Sequence, residues 1–180
     1  MEKYFLAIVP EGDIQQKALS LKEEICDKHG VKYALKSPAH VTLKMPFVFN
    51  EAKEPELISK IGDFLKGYPI FDIRIDGVRT FGNRVIFWDV KADASLFKLQ
   101  SELNLFCKRE LKLVDELADR NYTPHMTIAF KDLKPVKFDP VFELIRENAI
   151  FQNYSVSDIS VLKKVDGRWK ELERISLAEI

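Results

Sequence analysis

The 180-residue sequence is poor in the side chains that carry reactive chemistry, with two cysteines, three histidines and four threonines. Cys26 and Cys107 sit inside helical patterns at no metal-ligand spacing. That argues against a disulfide framework and against a cysteine-based zinc module, and it fits reduced thiols in the cytosol. Charge of one sign is also missing, since 28 basic residues balance 28 acidic ones. Without a net positive field the chain is no duplex-wrapping binder held by counterion release. A small anionic ligand, or one end of an RNA, needs only a local pocket. Long apolar runs are absent too. The run in "MEKYFLAIVPEGD" is too short for a membrane span or a signal-peptide core and reads as a buried strand. A cytoplasmic protein without membrane contact is expected, and a monomer.

What is present is a globular composition, 46% hydrophobic and 31% charged. No linker or low-complexity tract divides it, so residues 1–180 are expected to form a single bilobal domain. "YFLAIVP" is a first strand and "EGDIQQKALSLKEEICDKHG" a helix, with Ile14, Ala18, Leu21, Ile25 and Cys26 near helical spacing and a stop at Gly30. "HVTLKMPFVF" is a strand and "EPELISKIGDFLKGYP" a helix. "IFDIRIDGVRTFG" and "NRVIFWDVKA" make a hairpin at Gly82-Asn83. "SLFKLQSELNLFCKREL" is a third long helix, "PHMTIAF" a strand and "PVFELIRENAI" a short helix. The end, "YSVSDISVLKKVDGRWKELERISL", reads as two strands around Asp166-Gly167. This order predicts an α+β protein of two related lobes. Each is a small, mainly antiparallel sheet with helices on its outer face, and the two lobes flank a central groove.

One short pattern occurs twice. "SPAHVTL" at 37–43 and "NYTPHMTIAF" at 121–130 each place a histidine after a proline-containing turn, then an apolar residue, then a threonine. Two of the three histidines and two of the four threonines are spent on it, 85 positions apart. In a strand, His40 and Thr42 face one way while Val41 and Leu43 face the other; His125 and Thr127 likewise oppose Met126 and Ile128. Each copy thus shows a core an apolar back and a groove a polar front.

Two imidazoles across a groove are suited to in-line displacement at phosphorus. Histidine exchanges a proton near neutrality, so one ring can take a proton from the attacking oxygen while the other gives one to the leaving oxygen. The threonine hydroxyls can donate to the non-bridging oxygens. A zinc site would need a third ligand, and neither motif brings a His, Cys or acidic neighbour on the same face, so no metal and no cofactor are expected.

The paired H-x-T-Φ motifs, "HVTL" at 40–43 and "HMTI" at 125–128, resemble the signature of the two-histidine (2H) phosphoesterase superfamily, whose best-known branch is called 2′-5′ RNA ligase or RNA cyclic phosphodiesterase. "RNYTPHMTIAF", "FGNRVIFWDV" and "ISVLKKVDGRWKEL" resemble its second motif region, central hairpin and last strand pair. The resemblance implies a pseudo-twofold fold with the active site in the groove. It also implies metal-independent opening of cyclic phosphates, such as 2′,3′-cyclic nucleotides or RNA ends, or cleavage of 2′-5′ linkages. His40 and His125 would be base and acid, in an order the resemblance leaves open, with Thr42 and Thr127 on the phosphate.

Further candidates follow from strand alternation. Lys44, two places beyond Thr42, would face the groove in a regular strand and neutralise a phosphate, and Lys131 continues the same row in the second copy. Phe47, Tyr122 and Phe130 flank the motifs as faces on which a base could stack. A module of the same fold that binds phosphorylated nucleotide or RNA ends without turnover is the alternative reading.

Overall fold

The computed structural model describes residues 1–179. Its first strand, Glu2–Ile8 (β1), is buried from Tyr4 to Ile8 without interruption, so both of its faces are covered. Asp13–His29 (α1) turns Ile14, Ala18, Leu21 and Ile25 inward and stops at Gly30, whose left-handed backbone lets its N–H reach the Cys26 carbonyl. Val41–Phe49 (β2) is followed by Glu54–Leu65 (α2), which has Pro55 in its first turn. Phe71–Phe81 (β3) and Val85–Ala92 (β4) form the expected hairpin. Ala94–Glu110 (α3) begins at Asp93, whose carboxylate accepts the Ser95 N–H.

A single turn, Leu117–Arg120 (α4), leads into His125–Ala129 (β5). Pro135–Glu147 (α5) carries Pro140 inside it. Pro140 has no N–H for the Val136 carbonyl, but Val136 is exposed and water can take that role. Phe151–Val156 (β6), Asp158–Val165 (β7) and Arg168–Ser176 (β8) complete the strands among the described residues.

The strands run β6-β3-β4-β5-β2-β1-β7-β8 in one curled, antiparallel sheet. The two expected lobes are visible in that order. β6-β3-β4-β5 and β2-β1-β7-β8 are four-stranded blocks, each ending in one of the motif strands. They meet where Val41 of β2 pairs with Met126 of β5, which joins two small sheets into one. The sequence also hid one strand. What reads as continuous from Tyr154 to Val165 breaks at Ser157, with β6 pairing β3 at one edge and β7 pairing β1 in the other half. No glycine or proline marks the break, because the chain crosses between halves there without reversing in a hairpin.

One face of the sheet rests on the main core with the helices, through Tyr4, Leu6, Ile8, Val41, Leu43, Trp88, Met126 and Ile128. The other face holds a smaller apolar cluster of Phe5, Ala7, Val9 and Leu162 with Trp169 against it. This second face carries the polar fronts of both motifs. Both cysteines are free thiols; Cys107 is in the core and Cys26 is half-buried.

Candidate active site

The site is built on the seam between the blocks. Val41 lies opposite Met126, both fully buried on the helix side. One step along each antiparallel strand sets Thr127 beside His40 and His125 beside Thr42, all four half-buried on the groove face. The two histidines therefore occupy opposite corners of a small quadrilateral, and the threonines the other two. Diagonal neighbours of this kind lie about 7–8 Å apart, room for one tetrahedral phosphate between two imidazoles.

Each ring is held in the same way. The His40 Nδ1 lies 2.7 Å from the Pro38 carbonyl and the His125 Nδ1 2.7 Å from the Thr123 carbonyl. A carbonyl only accepts, so Nδ1 carries the proton in both rings, and Nε2 is left with the lone pair for chemistry. Phe5 of β1 packs on His40 with centroids 4.8 Å apart, and Phe87 of β4 packs on His125 at 5.1 Å. Apolar cover of this kind disfavours the imidazolium. Burial brings the His40 pKa down to about 4 despite its bond to Pro38, with Lys22 and His125 lowering it further. Burial lowers His125 as well, again against the pull of its carbonyl partner. Both rings are neutral in the free protein at pH 7.

Two residues that the sequence did not single out fix His40. Gln15 of α1 donates to the Ala39 carbonyl at 3.0 Å and accepts the Ala39 N–H at 2.8 Å, clamping the residue that precedes the histidine. Lys22, buried on the same helix, donates to the Ala34 and Ser37 carbonyls at 3.1 and 3.2 Å. Its desolvation lowers its own pKa to about 8. Nothing in the helical pattern separates either from solvent-facing neighbours.

Lys44 departs from expectation. A bulge in β2, where Leu6 pairs Lys44 while the adjacent Ala7 pairs Thr42, turns both Leu43 and Lys44 inward. The Lys44 ammonium is 1% exposed, ion-paired with the equally buried Asp119 and bonded to the Val114 carbonyl at 2.9 Å. Asp119 also accepts the N–H groups of Met45 and Glu116, at 2.9 and 3.0 Å. Lys44 thus ties the segment leading into His125 to β2 and does not face the groove. Phe47 is likewise a core residue, stacked on Tyr4 at 6.0 Å.

Lys131 does not continue the Thr127 row, because β5 ends at Ala129 and Lys131 itself takes a left-handed conformation. Its ammonium donates to the Tyr33 hydroxyl at 2.9 Å, and Phe130 meets the Tyr33 ring edge-on at 5.2 Å. Lys36 lies over the same ring, and Lys164 lies over Trp169, which packs on Phe5. These cations form a basic, aromatic rim on the His40 side. Tyr122 stays at the site, lining a cavity that also touches Thr42 and His125.

Residues 10–168 match the family model of the 2′-5′ RNA ligase superfamily. The chain belongs to that superfamily. Among relatives of this superfamily member, the protein named "Putative phosphoesterase BH1439" from Halalkalibacterium halodurans is 26% identical over 98% of both chains. A phosphoesterase-named protein of Staphylococcus aureus strain JH1 is 23% identical over 96% of this chain and 98% of its own. Among solved structures, TT0787 of Thermus thermophilus superposes with a TM-score of 0.70 at 16% identity, over 98% of each chain. Escherichia coli LigT complexed with 3′-AMP superposes at 0.64 and 16% identity, over 99% of each. At these identities the structural likeness establishes the fold, and superfamily membership places the chain among phosphoesterases.

Among the described residues, no three His, Cys, Asp or Glu side chains gather where they could hold a metal ion, and no helix is long and apolar enough to cross a membrane.

Proposed function

We propose that this chain is a phosphodiesterase that opens cyclic phosphates of nucleotides or RNA ends, or cleaves 2′-5′ linkages, by paired-histidine acid-base catalysis without a metal. The observation that supports the reading is the Val41–Met126 pairing, whose antiparallel register sets His40, Thr42, His125 and Thr127 next to one another on one face of the sheet. That LigT has been crystallised with 3′-AMP, ATP and NADP+ supports nucleotides as the ligand class.

In the proposed step the phosphate lies between the rings, with Thr42 and Thr127 donating to its non-bridging oxygens. Either ring can serve as base: one of them, with its Nε2 lone pair free, accepts the proton of an attacking water there. The new P–O bond forms as the opposite P–O bond to ribose breaks, and the departing oxygen takes the Nε2 proton of the other, protonated ring. The bound phosphate anion lies against both rings and favours the imidazolium that the empty site disfavours, so one of the two can carry the second proton in the complex. Proton exchange with water then resets both rings.

The test is hydrolysis of 2′,3′-cyclic nucleotides in the presence of EDTA. Product is expected from the wild type. A phosphate-binding module would bind nucleoside monophosphates and yield no product from any cyclic or 2′-5′-linked substrate.

A further inference from the structure

A cavity of about 180 Å³ opens beside the proposed phosphate position and touches both Thr42 and His125. Its wall is mostly apolar, made by Leu43, Met45, Phe81, Ala118 and the ring of Tyr122. The one carboxylate on it, Asp119, is already engaged by the Lys44 ammonium and by two backbone N–H groups. No lysine or arginine lines it. The lining therefore offers nothing to a second phosphate and suits an uncharged, flat group.

Phe81 gives the cavity an aromatic wall. It stands at the end of β3, 39% exposed, and meets the His125 ring edge-on at 4.9 Å. An aromatic ring partly open to water beside a reactive imidazole is a platform on which a base can stack. Met45, also on the wall, is a deformable thioether of the kind that fits irregular ligand surfaces. Asn121, exposed on the lining, brings an amide that both donates and accepts, as a base edge requires.

We infer that this cavity is a base subsite sized for one six-membered ring, so that pyrimidine nucleotides are preferred over purine nucleotides. An apolar cavity of about 150 Å³ accommodates benzene. A cavity of about 180 Å³ holds a pyrimidine, whereas the second ring of a purine stays in water. Because the cavity touches His125 and not His40, the base lies on the His125 side of the phosphate.

The inference rests on the proposed function in one respect, that a nucleotide phosphate lies between the histidines. Binding of products separates the two claims, because it needs no turnover. Calorimetric titration of the wild type, Ala118→Phe and Asn121→Ala would use cytidine, uridine, adenosine and guanosine 3′-monophosphates, with glycerol phosphate as the base-free probe. Ala118 is exposed on α4, so a larger side chain there fills the cavity without entering the core. Melting curves confirm folding of each variant.

The cytidine and uridine nucleotides are expected to bind wild type about tenfold more tightly than the purine nucleotides and glycerol phosphate. Ala118→Phe should bring all five ligands together, and Asn121→Ala should narrow the gap. Purine nucleotides binding as well as pyrimidine ones would overturn the inference, as would a preference that survives Ala118→Phe or a failure of every nucleotide to bind. A pyrimidine preference without hydrolysis of any cyclic phosphate would uphold the subsite and reject only the phosphodiesterase reading.

Discussion

Val41 stands directly opposite Met126, and through that pairing the two halves of the sheet become one surface. The apolar middle residue of each motif thereby sets the spacing of the polar residues around it. Truncating Met126 to alanine should leave a cavity behind the seam, at a cost of about 2–5 kcal/mol in urea unfolding. kcat on a cyclic nucleotide should fall further than in an equally destabilising substitution in α2, remote from the site. An equal fall in both would detach the seam from the chemistry.

The hydroxyls give a sharper expectation. Thr42→Val or Thr127→Val keeps the branched shape and removes one donor to the phosphate. Each should lower kcat by about a hundredfold with little change in stability, the loss typical of a donor aimed at developing charge. Unchanged kcat in both variants would place the phosphate elsewhere.

The Lys44–Asp119 pair is structural. Asp119→Ala leaves a buried ammonium without its counter-charge and should cost about 3–5 kcal/mol. Replacing both, with Lys44→Met and Asp119→Leu, should recover much of that loss in denaturant midpoints. If Lys44→Met instead kept its stability and lost phosphate affinity, the lysine would belong to the groove after all.

His40 should also leave a mark on stability against pH. Its folded pKa, about 4, lies below the ordinary value of 6.5, so between these the unfolded chain binds a proton that the folded one refuses. Stability is then complete above about pH 6.5 and falls as pH drops toward 4. His40→Gln should flatten that part of the profile relative to wild type. A wild-type profile identical to that of the variant would mean that the ring is not desolvated in the folded protein.

The site was legible because its chemistry is local. A histidine and a threonine two apart share a strand face whatever the surrounding fold, and the repeat put the same face on two strands. What stayed hidden depends on tertiary pairing. Lys44 follows the same two-residue rule, but the bulge that turns it inward comes from the match of β2 to β1, which no local pattern encodes. Gln15 and Lys22 look like surface residues of an amphipathic helix until the turn before His40 is laid over them. The break at Ser157 lies in an unbroken strand-like text, since each side pairs with a different half of the sheet.

The most direct test of the central claim is the rate of 2′,3′-cyclic nucleotide hydrolysis, in EDTA, for wild type, His40→Ala and His125→Ala. Wild type should turn over steadily, and each variant should lose about 10²–10⁴-fold, the usual contribution of a positioned acid or base. Full activity in either single variant would contradict it.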